Sequence, residues 1–204
     1  MKRIDAVRAL AELVTPDDLF VSSIGAIWDD WWNLRPGGVD NTFSPAILGS
    51  VSSTALGLAI ALPHRRVVAL ETDGSMLLNT GIMCTLGAER QPNLTVIVFD
   101  NGIYENIGGP PTHTSRYTDL AAMAAGAGCP ITSTTRQVDG FTDRASEYLN
   151  DDAFGFMVAK IEPGRHPWAP EQRRPTDGIE DKYRFVRYIE QLETTKIHHG
   201  ATHN

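Results

Sequence analysis

VVALETDGSMLLNTGIMCTLGAERQPNLTVIVFDNGIY, residues 67–104, holds the pattern from which the rest of the chain can be read. One apolar run, residues 67–70, stops at Thr72-Asp73-Gly74-Ser75, and a second, residues 94–99, stops at Asp100-Asn101-Gly102. The segment between them, residues 76–90, is expected to be a helix. Strand, helix and strand in that order form a parallel crossover unit, which delivers both acidic turns to one edge of the sheet. Asp73 and Asn101 are then expected to meet there, with oxygen atoms suited to a hard divalent cation. The helix start behind Gly74-Ser75 offers free backbone N–H groups and a positive dipole end to a phosphate. A structural cap by Asp73 or Ser75 explains the same local pattern equally well.

Upstream, Ile4, Val7, Leu10, Ala11 and Val14 recur at helical spacing, which predicts an amphipathic helix over residues 2–14. Residues 19–23 read as a short strand, followed by a close turn at Gly25. Trp28, Trp31 and Trp32 crowd around Asp29-Asp30, and are expected to line a pocket or a subunit interface in preference to the plain core. Residues 44–62, rich in Gly, Ala and Ser, predict a helix that allows close backbone approach.

Downstream, residues 101–116 are Gly- and Pro-rich and predict an irregular loop at the functional edge. Residues 119–127 and 138–150 predict helices, and residues 155–161 a last strand. The alternation predicts an α/β fold, a doubly wound, mainly parallel sheet with helices on both faces. Residues 1–161 are expected to be one domain. Residues 162–204, a Pro-rich extended segment and a helix at 182–192, are expected to pack on that domain or on a partner. The tail KIHHGATHN is expected to be a frayed end and not a metal site.

The 204 residues, 42% of them hydrophobic, suffice for the core of one domain. A formal net charge of −7 without a basic stripe argues against nucleic acid as a partner. Cys84 and Cys129, outside any CxxC pair, are expected to be buried thiols, and are too few for an iron–sulfur cluster, which takes about four. Charges interleave with apolar residues at the N-terminus, unlike a signal peptide, and no run approaches the ~20 apolar residues of a membrane span. A cytoplasmic protein with no membrane partner is the expectation.

On these residues the chain resembles the diphosphate-binding domain of thiamine-diphosphate-dependent enzymes. That family carries Gly-Asp-Gly-Ser after one strand and Asn-Asn after the next, here Thr72-Asp73-Gly74-Ser75 and Asp100-Asn101, then Gly102-Ile103-Tyr104. Leu48-Gly49, followed by small residues to Gly57, is similar to the family's preceding helix. Thr72 and Asp100 depart from the pattern, the first crowding the turn and the second adding negative charge near the metal. The resemblance, over roughly residues 1–161, implies thiamine diphosphate and Mg²⁺ as cofactors. It implies Asp73, Asn101 and the Ile103 carbonyl as metal ligands. Gly74, Ser75, Gly25 and Tyr104 would lie at the diphosphate, the Ala46 carbonyl at the aminopyrimidine, and Leu48 beneath the bend of the cofactor.

The family's activating glutamate belongs to a separate pyrimidine-binding domain, for which this chain has no room. The resemblance therefore implies a pyrimidine-binding alpha subunit as partner, in a hetero-oligomer. The chain is similar in particular to sulfopyruvate decarboxylase beta subunits and phosphonopyruvate decarboxylases, through its opening Lys2-Arg3-Ile4-Asp5-Ala6, Leu48-Gly49-Ser50, and the loop Gly109-Pro110-Pro111-Thr112-His113-Thr114 before Asp119-Leu120. The implied reaction is decarboxylation of a small 2-oxo acid to CO₂ and an aldehyde. His113 would act as an acid/base or orient the substrate, and Arg116 could face an acidic substrate tail. A carboligase or 2-oxo acid oxidoreductase subunit and a noncatalytic member of the fold remain open. The Trp28–Trp32 stretch is expected to bear on the substrate.

Overall fold

The computed structural model describes residues 1–173 and 177–197. His198, His199 and His203 of the tail lie outside the described residues, as does what was expected of them. Six strands form one sheet: β1 Leu19–Ser22, β2 Thr42–Phe43, β3 Val67–Thr72, β4 Leu94–Asp100, β5 Ile131–Thr135 and β6 Gly155–Lys160. Their order is β2-β1-β3-β4-β6-β5, and every adjacent pair is parallel. The apolar runs supply the central strands because a parallel sheet covered on both faces needs apolar residues at successive positions. Every residue of β4 is buried, and in β3 only Thr72 is partly open.

Alternation along the strands sorts the core into two layers. Leu19, Val21, Val67, Ala69, Val96, Val98, Phe156 and Val158 face one side. There they meet α3 (Val51–Ala61), the short α4 (Asp73–Leu77), α5 (Ile82–Glu89) and α6 (Leu120–Gly126). Phe20, Val68, Leu70, Ile97, Phe99, Met157 and Ala159 face the other side, against α1 (Arg3–Leu13), α2 (Ala26–Leu34) and α7 (Val138–Asn150). The expected doubly wound α/β sheet is the observed one. No described helix is long and apolar enough to cross a membrane.

Several local expectations need correction. The helix expected over residues 44–62 begins only at Val51, and residues 44–50 form a loop with Ala46 and Gly49 in the left-handed region, φ 57° and 81°. The helix expected over residues 76–90 is broken into α4 and α5 around Asn79, Thr80 and Gly81. β2 and β5 were not expected; β5, ITSTT, is a partly exposed edge strand without an apolar run. Trp28 and Trp31 are neither pocket nor interface residues, being fully buried inside this chain. Trp31 packs on Phe20 at 4.2 Å between ring centroids, and its Nε1 donates to Thr42 Oγ1 at 2.9 Å. Trp32 lies under the Arg35 guanidinium, 3.4 Å from the ring centroid.

The segment after Ile161 crosses the α1–α2 side of the domain. Arg3 Nη2 donates to the Gly164 carbonyl at 3.1 Å, and Trp168 Nε1 donates to Asp30 Oδ1 at 2.7 Å. The last helix, α8 (Gly178–Leu192), starts earlier than expected because Asp177 caps it, accepting from the Ile179 and Glu180 N–H groups. It stacks Phe185 on Phe43 of β2 at 5.9 Å.

Only Cys129 of the two cysteines is buried; Cys84 is exposed. Burial pushes the Cys129 thiol up to about 11, and the thiolate is the reactive form. At about pH 8, iodoacetamide is therefore expected to modify native protein at Cys84 alone and both residues in urea. Intact-mass measurement reads the difference, and a second adduct on native protein would contradict the burial. Trp31→Ala is expected to cost about 3–5 kcal/mol, measured from urea denaturation midpoints.

Candidate active site

Where β3 ends, Thr72 Oγ1 accepts from the Ser75 N–H at 3.3 Å and so caps α4. The residue that departs from the Gly-Asp-Gly-Ser pattern thus acts as the N-cap. The turn carries Asp73 inward to 2% exposure. Its Oδ2 accepts from Thr112 Oγ1 at 2.6 Å and Thr114 Oγ1 at 3.2 Å, both on the loop that follows β4. Burial raises the Asp73 pKa; the Thr112 hydrogen bond opposes this, and the negative charge of Asp100 adds to it. The described residues give this carboxylate hydroxyl donors and no cation.

At the end of β4 two side chains fold back on the backbone. Asp100 Oδ1 accepts from the Gly102 N–H at 3.0 Å, and Asn101 Oδ1 from the Ile103 N–H at 3.1 Å. These Asx-type turns hold the chain sharply at Gly102, whose φ is 72°. The loop then doubles back. Tyr104 N–H donates to the Pro110 carbonyl and Thr112 N–H to the Gly102 carbonyl, each at 2.8 Å. Its tip lies against two glycines: a Cβ on Gly74 would meet the Tyr104 ring at 2.8 Å, and one on Gly25 the Asn106 amide at 2.7 Å.

The elements enclose a cavity of about 110 Å³. Leu48, Asp73, Gly74, Ser75, Asn101, Ile103 and Tyr104 line it together, with Ile24, Ile27 and Phe99 as apolar floor. Gly25 stands between the lining residues Ile24 and Ala26 and backs onto Asn106. Ala46 is outside the lining, exposed on the loop before α3. His113 is also exposed and outside the lining; its neighbours Thr112 and Thr114 are the ones turned to Asp73. Arg116 is exposed as well.

Leu48 is 39% exposed, so it is not ordinary core. The loop holding it is pinned on both sides of Gly49. The Gly49 N–H donates to Ser75 Oγ at 3.0 Å, and Asn79 Nδ2 donates to the Gly49 carbonyl at 2.8 Å. Behind Ser75, the buried Glu71 Oε1 accepts from the Ser52 N–H at 3.1 Å and Ser52 Oγ at 3.0 Å, satisfying the start of α3. The sequence reading missed Glu71, Thr112, Thr114 and Lys160. The signals available were a carboxylate inside the apolar run of β3 and a lysine closing the apolar β6.

No group of three or more His, Cys, Asp or Glu side chains among the described residues could hold a metal. A cation here would rest on one carboxylate, neutral oxygens and whatever its counter-ligand brings. The donor set fits such a group: a buried carboxylate held by hydroxyl donors, with an asparagine and a helix start lining the same cavity.

Residues 27–159 match the family model described as thiamine pyrophosphate enzyme, C-terminal TPP binding domain. The chain is 29% identical over 190 residues to the sulfopyruvate decarboxylase subunit beta of Methanocaldococcus jannaschii, covering 93% of this chain and 98% of that one. It is 30% identical over 162 residues to the phosphonopyruvate decarboxylase of Streptomyces viridochromogenes, covering 79% of this chain but 40% of the relative. Among solved structures, the Rhodococcus jostii thiamine diphosphate-dependent 4-hydroxybenzoylformate decarboxylase superposes with a TM-score of 0.67 at 21% identity. That match covers 81% of this chain and 33% of the other, and shows a shared fold.

Glu71 gives the site a dependence on pH. Burial raises its pKa above the ordinary 4.5 and outweighs the hydrogen bonds around it. The native state then keeps a proton that the unfolded chain has already lost. Its contribution to stability is full below the unfolded value and is lost as pH rises through the folded one. Urea midpoints of the wild type are expected to fall over that window, and those of Glu71→Gln to fall less. Equal slopes would show that Glu71 is not the group responsible.

Proposed function

Since the chain belongs to the thiamine pyrophosphate enzymes, through their C-terminal TPP-binding domain, we propose that it is the diphosphate-binding, beta-type subunit of a two-subunit 2-oxo acid decarboxylase. Thiamine diphosphate and Mg²⁺ are its proposed cofactors. The observation that carries this reading is Asp73, a buried carboxylate lining the cavity beside Asn101 with hydroxyl donors and no cation. The likeness to a sulfopyruvate decarboxylase beta subunit over nearly the whole of both chains supports the two-subunit form.

In this reading Asp73, Asn101 and the Ile103 carbonyl hold the cation. The Gly74 N–H, with the Ser75 N–H once it leaves Thr72 Oγ1, holds the diphosphate, with Gly25 and Tyr104 beside it. Ala46 keeps a left-handed backbone, φ 57°, without being glycine, a strain of the sort that sites retain. Its carbonyl is proposed to meet the aminopyrimidine, with Leu48 propping the cofactor. When bound, thiamine diphosphate supplies the carbanion that adds to the keto carbon of a 2-oxo acid and takes up the electron pair left as CO₂ departs.

Ile24, Ile27 and Phe99 give the cavity an apolar lining. Asp73 and Glu105 are the cavity's carboxylates among the described residues. Glu105 is already engaged, 3.5 Å from Arg3 Nη1 and accepting from the Gly164 N–H at 2.6 Å. The carboxylate that activates the aminopyrimidine is therefore proposed to come from an alpha subunit. His113, on the open side of the loop, is proposed to move a proton or orient a small 2-oxo acid once that partner closes the site.

The chain alone is expected to be inactive. With its partner, thiamine diphosphate and Mg²⁺ it is expected to release CO₂ from a 2-oxo acid, followed with a coupled bicarbonate assay. Asp73→Ala should lower that rate by at least ~100-fold and abolish cofactor binding in calorimetry. Full activity in the variant would remove the cation assignment. Cofactor binding without CO₂ release across a panel of 2-oxo acids would favour a carboligase or oxidoreductase.

A further inference from the structure

Asp100 is the last residue of β4 and stands next to Asn101, yet it is 2% exposed and charged. A carboxylate so buried needs a counter-charge or a full set of donors. It has both. The parallel register sets Asp100 beside Lys160, the last residue of β6. Lys160 Nζ lies 2.5 Å from Asp100 Oδ2, while Oδ1 accepts from the Gly102 N–H at 3.0 Å and Thr114 Oγ1 at 2.8 Å. Thr114 Oγ1 is also 3.2 Å from Asp73 Oδ2. One hydroxyl thus stands between the carboxylate of the cation site and a second carboxylate of the same sign, and its single proton serves one of them at a time.

We propose that Lys160 is a positioning residue for the cation site: it offsets the charge of Asp100, so that among the described residues Asp73 is the carboxylate that faces the cavity without a cationic partner. The inference rests on the cation reading of Asp73 and Asn101 and deepens it. The site must accept a divalent cation and an anionic diphosphate together. A second free carboxylate would strengthen the hold on a bare cation and repel the diphosphate. A lysine without its aspartate would do the reverse. The Asp100–Lys160 pair keeps Asp100 available to shape the Gly102 turn and to share Thr114 while offsetting its charge in that balance.

Double replacement tests this, with Mn²⁺ as the probe and full-length protein carrying thiamine diphosphate, alone and with its partner subunit. Asp100→Asn retains the shape of the turn and leaves Lys160 unpaired. It is expected to weaken Mn²⁺ binding about tenfold by electron paramagnetic resonance. Adding Lys160→Met should restore affinity to within about threefold of wild type. Lys160→Met alone should tighten Mn²⁺ and weaken thiamine diphosphate in calorimetry, and Lys160→Arg should match the wild type; these two decide the matter if Asp100→Asn fails to fold. Equal affinities in Asp100→Asn and the double variant, or unchanged affinities in Lys160→Met, overturn the role of Lys160. Asp73→Ala separates the two levels. If it loses Mn²⁺ while the Asp100 and Lys160 variants bind as wild type, only this inference falls. If it keeps Mn²⁺, or if the wild type binds none, the cation reading falls and this inference with it.

Discussion

The parallel pairing of β3 with β4 is the constraint on which the rest depends. Val67 lies opposite Leu94 and Thr72 opposite Phe99, so both chains leave the sheet at one edge and at one height. Asp73 and Asn101 follow directly, each one residue beyond its strand or at its last turn. A shift of register by one residue would turn every side chain to the other face. Both faces here are apolar and covered, yet the two core layers differ in shape, so such a slip would still misfit Phe99 and Val98 against the helices. The core thus fixes the site: burial of the strands sets the height at which the two turns meet.

The loop after β4 depends on that edge and feeds back on it. Gly25 and Gly74 are glycines because Asn106 and Tyr104 occupy the space where a Cβ would stand. The loop tip is tied to the far side of the domain through Glu105, which reaches Arg3 and the Gly164 N–H. Arg3 in turn pairs with the buried Asp30 at 2.7 Å, and Asp30 accepts from Trp168. The first helix, the tryptophan helix and the crossing segment after β6 therefore converge on one loop. Trp28 and Trp31 contribute by packing α2 in place.

How much of this the sequence discloses follows from the range of the forces involved. β3, β4, α1 and α7 announce themselves through apolar runs and helical spacing, which are local. The motif residues Asp73 and Asn101 are legible because strand order alone brings them together. The break at Asn79 is not, since its side chain leaves the helical pattern to bond the Gly49 carbonyl, a contact made across thirty positions of chain. Residues 44–50 look helical by composition and are held as a loop by that same contact and by Ser75. The tryptophans show the limit of composition: aromatic crowding reads the same at an interface and in a core. Thr112, Thr114 and Lys160 carry no local mark, because their meaning lies in what folding sets beside them.

Charge then bears on what faces the cavity. Of the acidic side chains at this edge, Asp100 is closed by Lys160, Glu105 by Arg3, and Glu71 is buried behind Ser75 with its pKa raised. Among the described residues Asp73 is left facing the cavity without a cationic partner. Of the cavity's lining, Leu48 and Ile107 are exposed, apolar residues that gain most when a second surface removes them from water. This chain, on the proposed reading, holds the anion-binding end of a site whose other end a partner closes. On the proposed reading, the alpha subunit would cover this rim and supply the missing carboxylate in the same act.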